Sequence, residues 1–561
     1  MSLINCSLTK GGNKITKILG VSSMHDSSIC LFENGKIVNF FKEERFSKTK
    51  RDQLPIKSFF EINLKEESVD YAYSTPTQEP DVYNIIKKLA LKNFKIAREF
   101  DYSNEHHLIH ANLAFYDSGF DQALVFVIDR NGSVWGNSLR ESESVYLASY
   151  PNNFKTLCKN FWVFENYGHE FVDLLKNDNP DCDFNAKSMF GIVKVYETAT
   201  TLIRQDPLEN GKTMGLSAYG NKNKNYPKLF NKDSIPIDYN FGHEFFSDMR
   251  VANYLNLKHK STKEINTNNY QEYADYAWNV QKETQEAVAS MINMYVEKTG
   301  IKNVCITGGY GLNVVANNYY ITQFPEINFF FEPLADDTGN SIGAAMKCYR
   351  DTTLDSTINK LEHTFFNGKN YLLDDINGLD VSISDVAKLI SNGKSVAVYN
   401  GLAEAGPRAL GNRSILFDCR DKDAKEKVNR IKKREWYRPF AAMVLEEESS
   451  KYFEMGRIKK SEFMTISFPV KDDAIKKIPG VVHIDNTCRI QTVDKSNPII
   501  FNLLNEFKKI TNMGILLNTS FNLAGKPLVE TPEDAFYTLK NSELDYVWFP
   551  EISKLVSKKD V

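Results

Sequence analysis

One arrangement occurs twice in this 561-residue chain and limits what it can fold into. Near residues 17–43 an apolar run, KILGVSS, meets a polar turn, Met24-His25-Asp26-Ser27-Ser28. A hairpin follows, SICLF and KIVNFF around Glu33-Asn34-Gly35, where Asn-Gly favours a two-residue type I′ turn. Near residues 123–150 the order repeats: the apolar run Ala123–Asp129, a polar turn Asp-Arg-Asn-Gly-Ser, then strands from Val134 onward and through ESVYLASY. An acid at a strand end beside small residues, as at Asp26, can face a phosphate or metal, or simply close an Asx-turn.

Between the two units lies EHHLIHANLAFYDSGF. His106 and His110 are four apart in a segment with few helix breakers, so a helix sets both imidazoles on one face. With Asp129 at the next strand end and Asp337 in DDTGNSIGAA, they form a candidate mixed N/O metal site. The alternative is surface or capping histidines. Farther on, ENGKTMGLSAYG reads as a glycine-rich turn that presents Lys212 to a nucleotide phosphate. Residues Asn221–Asn268 read as a polar insertion and Tyr270–Lys298 as a long amphipathic helix. NVCITGGYGLNVVANNYY predicts strand, turn and helix, with Gly308 and Gly309 allowing backbone to approach a ligand. Residues 351–380 carry no strong pattern and are expected to link two domains.

The C-terminal region holds the densest polar stretch. Arg408 and Arg413 lie in EAGPRALGNRSILFDCR, and Lys432, Arg434 and Arg438 in VNRIKKREWYRPFAAMVLEE. Cations in Gly- and Pro-bearing loops bind phosphates or carboxylates, with Arg doing so bidentately; the alternative is a solvated basic face. Arg489 in HIDNTCRIQTV and Asn518, Ser520 and Asn522 in LLNTSFNLAGKPLVE complete the candidate set. The loop EERFSKTKRDQLP reads either as solvated or as facing substrate through Arg45, Lys48 and Arg51.

Composition excludes several classes. The eight cysteines form no CxxC pair, which argues against zinc knuckles and a disulfide framework. Formal net charge is −3, so there is no overall pull toward nucleic acid. The apolar runs are too short to span a bilayer and the N-terminus has no apolar signal core, so a cytoplasmic protein without membrane contact is expected. A homodimer is left open.

Taken together, HDSSICLFENGKIVNFFKEERFSKTK, HHLIHANLAFYDSGF, GKTMGLSAYG, GGYGLNVVAN, DTGNSIGAA, EAGPRALGNRSIL, KKREWYRPFAA, RIQTV and NTSFNLAGKP resemble the O-carbamoyltransferases of the NodU/CmcH type. The resemblance implies an α/β protein. Its first domain, residues 1–355, would be an actin-like (ASKHA) duplicated ribonuclease-H-like fold. A linker at 356–380 would lead to a YrdC-like α/β domain at 381–561. It implies Fe(II) or another divalent metal on His106, His110, Asp129 and Asp337. Lys432, Arg434, Ser520 and Asn522 match the YrdC-type KxR and SxN signature, and Arg408, Arg413, Arg438 and Arg489 match carbamoyltransferase positions. Asn518 is grouped with these as substrate-binding. Gly308, Gly309, Asn313 and Lys212 are assigned to the nucleotide, and His25 and Asp26 to a base or orienting pair. Implied substrates are carbamoyl phosphate, ATP with Mg²⁺, and a hydroxyl-bearing acceptor: a small molecule, a sugar or a modified nucleotide. Rival readings are a tRNA threonylcarbamoyl-adenosine synthase-like fusion, a hydrogenase-maturation carbamoyltransferase and a non-catalytic ASKHA nucleotide-binding protein. Arg51 and Arg130 depart from the family pattern, which has His and a common glycine there. Ala403 replaces a bulkier residue.

Overall fold

Strand order shows the duplication directly. A computed structural model describes residues 16–561 except 25, 63–67, 77–78, 137, 164–167, 189–190, 204–205, 207, 223–227, 231–264, 266, 354, 358–360 and 362–365. His25 and most of the polar insertion at Asn221–Asn268 therefore lie outside the described residues.

The first sheet comprises β1 (Lys17–Ser22), β2 (Ser28–Glu33), β3 (Lys36–Lys42), β4 (Ser68–Ser74) and β5 (Lys95–Asp101), in the order β3-β2-β1-β4-β5. β1 and β2 and then β2 and β3 pair antiparallel, whereas β4 runs parallel to β1 and β5 parallel to β4. The second sheet repeats this pattern. β6 (Gln122–Ile128) pairs antiparallel with β8 (Leu139–Ser149), and β8 with β9 (Asn153–Val163). β11 (Asn303–Thr307) lies parallel to β6, and β12 (Asn328–Phe331) parallel to β11. The short β7 (Val134–Trp135) and β10 (Asp183–Ser188) extend the sheet. The expected second hairpin is thus present, but its return strand is β9, whose Asn- and Lys-rich sequence hides a half-buried strand. Two copies of one 3-2-1-4-5 sheet form the actin-like, duplicated ribonuclease-H-like fold.

Two helices fill the space between these sheets. Asn340–Thr353 packs on β1, β2 and β4, and His106–Ser118 packs on β6 and β11. Nearly every side chain of the second helix is buried, with His106, His107 and His110 at 0% exposure. The two helices touch at Gly343, where a Cβ would stand 2.5 Å from the Ile109 carbonyl oxygen. That approach brings His110 level with Asp337 and Asn340.

The third sheet, in the order β13-β21-β20-β14-β15-β19-β16-β18-β17, forms the C-terminal α/β domain. Its central strands are β14 (Val396–Tyr399), β15 (Arg413–Phe417), β16 (Ala441–Leu445), β18 (Thr487–Val493) and β19 (Ile515–Ser520). β17 (Ser467–Pro469) forms one edge; β20 (Tyr546–Phe549), β21 (Lys554–Ser557) and β13 (Leu379–Asp380) form the other. Some of the stretch expected as a linker already belongs to this domain. Phe366 bridges to Glu404, and β13 pairs with β21.

The two domains share one core. A single apolar cluster runs from Leu124, Tyr196, Val280 and Tyr310 to Phe417, Phe440, Val444 and Ile490. Polar ties cross the same seam: Arg45 Nη2 donates to the Glu404 and Gly406 carbonyls at 3.1 Å each, and Asn317 Nδ2 to the Thr465 carbonyl at 2.8 Å. Gly343→Ala must separate the buried helix pair, and overpacking of this kind costs about 3 kcal/mol. A lowered thermal midpoint together with weakened metal uptake is the expected outcome; calorimetry and metal titration check it.

Candidate active site

Four elements converge on one point. His106 and His110 lie one turn apart on their helix, Asp129 follows β6, and Asp337 opens a short 3₁₀ turn, Asp337–Gly339. One ligand atom from each of the four residues lies within 4.8 Å of the others, and all four residues are buried. His106 Nε2 stands 3.6 Å from Asp129 Oδ2 and 3.3 Å from Asp337 Oδ1, and His110 Nε2 stands 3.2 Å from that same Asp337 oxygen. The surface and capping alternatives for these histidines are therefore corrected by their complete burial.

The surroundings hold each ligand in place. The His106 amide donates to Ser133 Oγ at 3.0 Å, capping the helix. Gly309 N donates to Asp129 Oδ1 at 3.0 Å, so the glycine turn serves a ligand. Gly308 has φ +79°, and a Cβ there would meet the Ile128 carbonyl at 2.5 Å. Asn340 Nδ2 lies 3.2 Å from His110 Nε2 and 3.3 Å from Asp337 Oδ1. The neighbouring His107 takes another path: Nδ1 meets Ser144 Oγ at 2.7 Å, and burial pushes it down to about 3, which keeps it neutral. Beneath it, Glu141 pairs with Lys159 and accepts from Ser133 N at 3.0 Å, bracing the turn after Asp129.

The donor set fits a divalent metal. Two imidazoles and two carboxylates meet in a water-poor site, and His106 Nδ1 and His110 Nδ1 have no hydrogen-bond partner among the described residues. Burial opposes a charged His106, but Asp337 and Asp129 outweigh it and raise the imidazole to about 10. Burial likewise opposes the Asp129 carboxylate, and the His106 imidazole beside it outweighs that, holding the group below the usual range. A protonated His106 occupies the place of a cation and must lose its proton to become a ligand.

Asp26 stands nearby with φ +64°. Its Oδ1 pairs with Lys42 Nζ at 2.9 Å, and Lys42 also lies 3.4 Å from Glu44. Burial opposes the Lys42 charge, yet Asp26, Glu44 and Asp336 raise its basicity above the usual range. Burial pushes Asp336 up against the pull of Lys42. Lys42, Asp336, Asn340 and the Glu141–Lys159 pair were missed in the sequence. Asp336 and Asn340 carried a signal there, as members of DDTGNSIGAA.

The second group lies at one end of the C-terminal sheet, where β19, β16 and β18 align Asn518, Ala441 and Arg489. Lys432 is 3% exposed and donates to Ser520 Oγ at 2.9 Å and to Asn522 Oδ1 at 2.5 Å. Arg434 donates from Nε to Asn429 Oδ1 at 2.7 Å and stacks 4.0 Å above the Phe440 ring. A cavity of about 440 Å³ opens beside it, where Glu426 joins Lys425, Arg430, Lys433, Arg434 and Trp436 in the lining. The Arg489 guanidinium makes no hydrogen bond among the described residues, and its Nε is a buried donor without a partner.

These cations act on one another. Burial first, then Arg434, Arg438 and Lys50, push Lys432 well down. Burial, then Arg408, Arg434 and Arg438, do the same to Arg489. Burial and Arg438 bring Arg408 down to about 10. Such crowding is costly unless an anion enters. Lys50 is the cation that sequence reading missed in SKTKRD. The three basic residues singled out in that loop are held by protein instead: Arg45 as above, Lys48 by Asp534, and Arg51 by Asp206 and the Leu208 carbonyl.

Four other expectations need correction. Arg413 does not reach the cluster: it is 0% exposed, stacks 3.6 Å above Tyr399 and donates to the Asn400, Gly401 and Asn412 carbonyls. Asn518 is fully buried and holds the Ala409 carbonyl at 3.0 Å, so it shapes the Arg408 loop from beneath. GKTMG is not a turn but lies within the helix Asn210–Ser217, and Lys212 pairs with Glu209 at 2.5 Å and Glu435 at 2.6 Å. Asn313 caps its own helix at Ala316 N and bonds Gln281.

Arg408 joins the two groups. Its Nη2 donates to the Leu312 carbonyl at 3.2 Å, just past the Gly308–Gly309 turn, and it is influenced by both Arg438 and Asp336.

With this geometry in view, comparison with known families is decisive. The model described as Carbamoyltransferase N-terminus matches residues 77–346, and Carbamoyltransferase C-terminus matches residues 387–556. The chain belongs to the carbamoyltransferase family. It is 31% identical to an uncharacterized protein of Methanocaldococcus jannaschii over 83% of this chain and 76% of that protein. It is 28% identical to Nodulation protein NolNO of Sinorhizobium fredii over 93% of this chain and 78% of the relative. Among solved structures, full-length HypF in the phosphate- and nucleotide-bound form matches with 12% identity and a TM-score of 0.36, covering 61% of this chain and 57% of that one. Among the described residues no helix is long and apolar enough to cross a membrane.

The His106 proton yields a measurable consequence. Its raised pKa stabilises the metal-free fold fully below about 6.5, the ordinary histidine value, and that contribution fades as pH rises through about 10. Between these values metal uptake should release about one proton, and affinity should rise about tenfold per pH unit. Calorimetric titration in buffers of differing ionisation enthalpy checks this. Enthalpies independent of buffer would contradict it.

Proposed function

We propose that this carbamoyltransferase works in two halves joined at Arg408. In the C-terminal domain water hydrolyses carbamoyl phosphate to carbamate and inorganic phosphate, with release of a proton. A carbamate oxygen then attacks the α-phosphorus of ATP, pyrophosphate leaves, and carbamoyl-adenylate results. The observation that carries this reading is the mutual crowding of Arg408, Lys432, Arg434, Arg438, Arg489 and Lys50, beside which Glu435, 3.6 Å from Arg438, is already engaged by Lys212 at 2.6 Å. Substrates with several negative charges supply the balance, and Mg²⁺ accompanies the ATP. Ser520 and Asn522 orient the Lys432 ammonium.

In the N-terminal domain an acceptor hydroxyl oxygen attacks the carbamoyl carbon, and AMP leaves with the bonding pair. His106, His110, Asp129 and Asp337 would hold iron or another divalent metal, which supplies Lewis acidity toward a carbonyl oxygen. The Asp26 carboxylate is engaged by Lys42, so it is assigned to orientation, and the hydroxyl proton to the neighbouring His25. The Gly308–Gly309 turn is assigned to the nucleotide portion. A recess shielded from bulk water suits an intermediate that hydrolyses easily. The acceptor is a hydroxyl-bearing small molecule, sugar or modified nucleotide.

The halves separate by mutation. His110→Ala should abolish carbamoyl transfer yet keep carbamoyl-phosphate-dependent ATP–pyrophosphate exchange. Loss of exchange in a folded variant would refute the division. Conversely, Lys432→Ala should cut exchange by about 10²-fold or more while supplied carbamoyl-adenylate is still transferred, as radiolabel transfer can show.

A further inference from the structure

One buried amide at the metal centre still has no task. Asn340 opens the helix Asn340–Thr353 and is fully buried. It stands three residues after Asp337, at the end of the 3₁₀ turn, where residues three apart eclipse. Its Nδ2 lies 3.2 Å from His110 Nε2 and 3.3 Å from Asp337 Oδ1. Its Oδ1 is buried and has no hydrogen-bond partner among the described residues. The end of this side chain therefore lies against the facing atoms of two of the four candidate ligands.

The backbone beneath the amide has little freedom. Ser28 Oγ donates to the Thr338 carbonyl at 2.8 Å and lies 2.8 Å from Ser341 Oγ, which ties the turn to β2. Gly339 packs so closely that a Cβ there would stand 2.4 Å from the Leu334 carbonyl oxygen. Three residues on, Gly343 meets the histidine helix at Ile109. Packing on both sides thus fixes where the Asn340 side chain starts, as a ligand requires.

The spacing suits a shared cation. Bonds of about 2.1 Å at right angles set neighbouring donors about 3.0 Å apart. His106 Nε2, His110 Nε2 and the Asn340 amide lie 3.3, 3.2 and 3.3 Å from Asp337 Oδ1. Hydrogen-bond lengths are similar, so the choice between donor and ligand falls to the amide's orientation. An Asn amide has a donor end and an acceptor end that exchange by half a turn. An imidazole nitrogen and a carboxylate oxygen draw the NH₂ end. A cation that takes up their lone pairs draws the carbonyl end instead. No protein donor among the described residues holds Oδ1 where it stands, so the half-turn breaks no bond at that end.

We infer that Asn340 Oδ1 is a fifth protein ligand to the divalent metal, reached by this half-turn of the amide. This rests on reading His106, His110, Asp129 and Asp337 as the metal centre. The donor set is then two imidazole nitrogens and three oxygens. Such a set favours six-coordinate Mn²⁺ or Fe²⁺ over tetrahedral Zn²⁺. The two carboxylates already balance a divalent ion, so the neutral amide adds a bond without adding negative charge. With one oxygen from each carboxylate, a six-coordinate shell keeps a single position for an exchangeable oxygen ligand.

Mn²⁺ serves as the probe, added to chelator-treated full-length protein. Pulsed electron paramagnetic resonance in ¹⁷O-water counts the waters bound to the ion. Asn340→Ala should bind Mn²⁺ about tenfold more weakly and carry one bound water more than the parent. Asn340→Asp, which offers an oxygen at the same place, should return the count to the parent's. A side chain that only orients His110 or Asp337 would also cost affinity but leave the water count unchanged, and that result overturns the proposal. Where Asn340→Ala folds poorly, the parent labelled with [¹³C]asparagine decides: contact coupling between Mn²⁺ and an amide carbon is expected, and its absence overturns the ligand. Failure of the metal centre would look different. If the parent takes up no Mn²⁺, or His110→Ala binds it as tightly as the parent, the centre fails and the fifth ligand with it. Uptake lost in His110→Ala but an unchanged count in Asn340→Ala overturns the fifth ligand alone.

Discussion

Two buried helices pressed together between two twisted sheets are the constraint on which everything else depends. Glycine at 343 lets the backbones meet at Ile109, and the sheets bury almost the whole surface of the His106–Ser118 helix. Imidazoles on that helix cannot reach water, so their charge must be balanced by groups inside the protein. Asp129 and Asp337, delivered by the ends of two neighbouring strand connections, provide that balance. The convergence of these four side chains is thus a product of helix packing before it is a matter of coordination chemistry.

The C-terminal domain faces the opposite electrostatic problem. There the surplus is positive, and side chains that would ordinarily repel are pinned by stacking and short hydrogen bonds: Arg434 on Phe440, Lys432 on Ser520 and Asn522. Arg408 is where the two fields touch. It is repelled by Arg438 on one side and drawn to Asp336 on the other.

Much of this was legible in the sequence, and the exceptions have physical causes. The duplicated strand–turn–hairpin unit, the HxxxH helix and the strand-end acids are local patterns, and local patterns survive folding. Arg413 misled because Gly-Pro-rich neighbours look the same whether an arginine faces a ligand or caps the carbonyls of its own turn. GKTMG misled because two glycines suggest a loop, whereas burial of Thr213, Gly215 and Leu216 against the long Gln271–Thr299 helix stabilises a helix there. Lys42, Lys50 and the Glu141–Lys159 pair were invisible because their meaning comes only from partners distant in sequence.

The shared apolar core has a further consequence. Two domains that fuse through continuous hydrophobic packing, with Arg45 clamped onto the carbonyls of Glu404 and Gly406, cannot swing open like a clamshell. Change at the seam is then confined to side chains inside a fixed shell. Sequence change can then accumulate on the outer loops without disturbing the seam between the two domains.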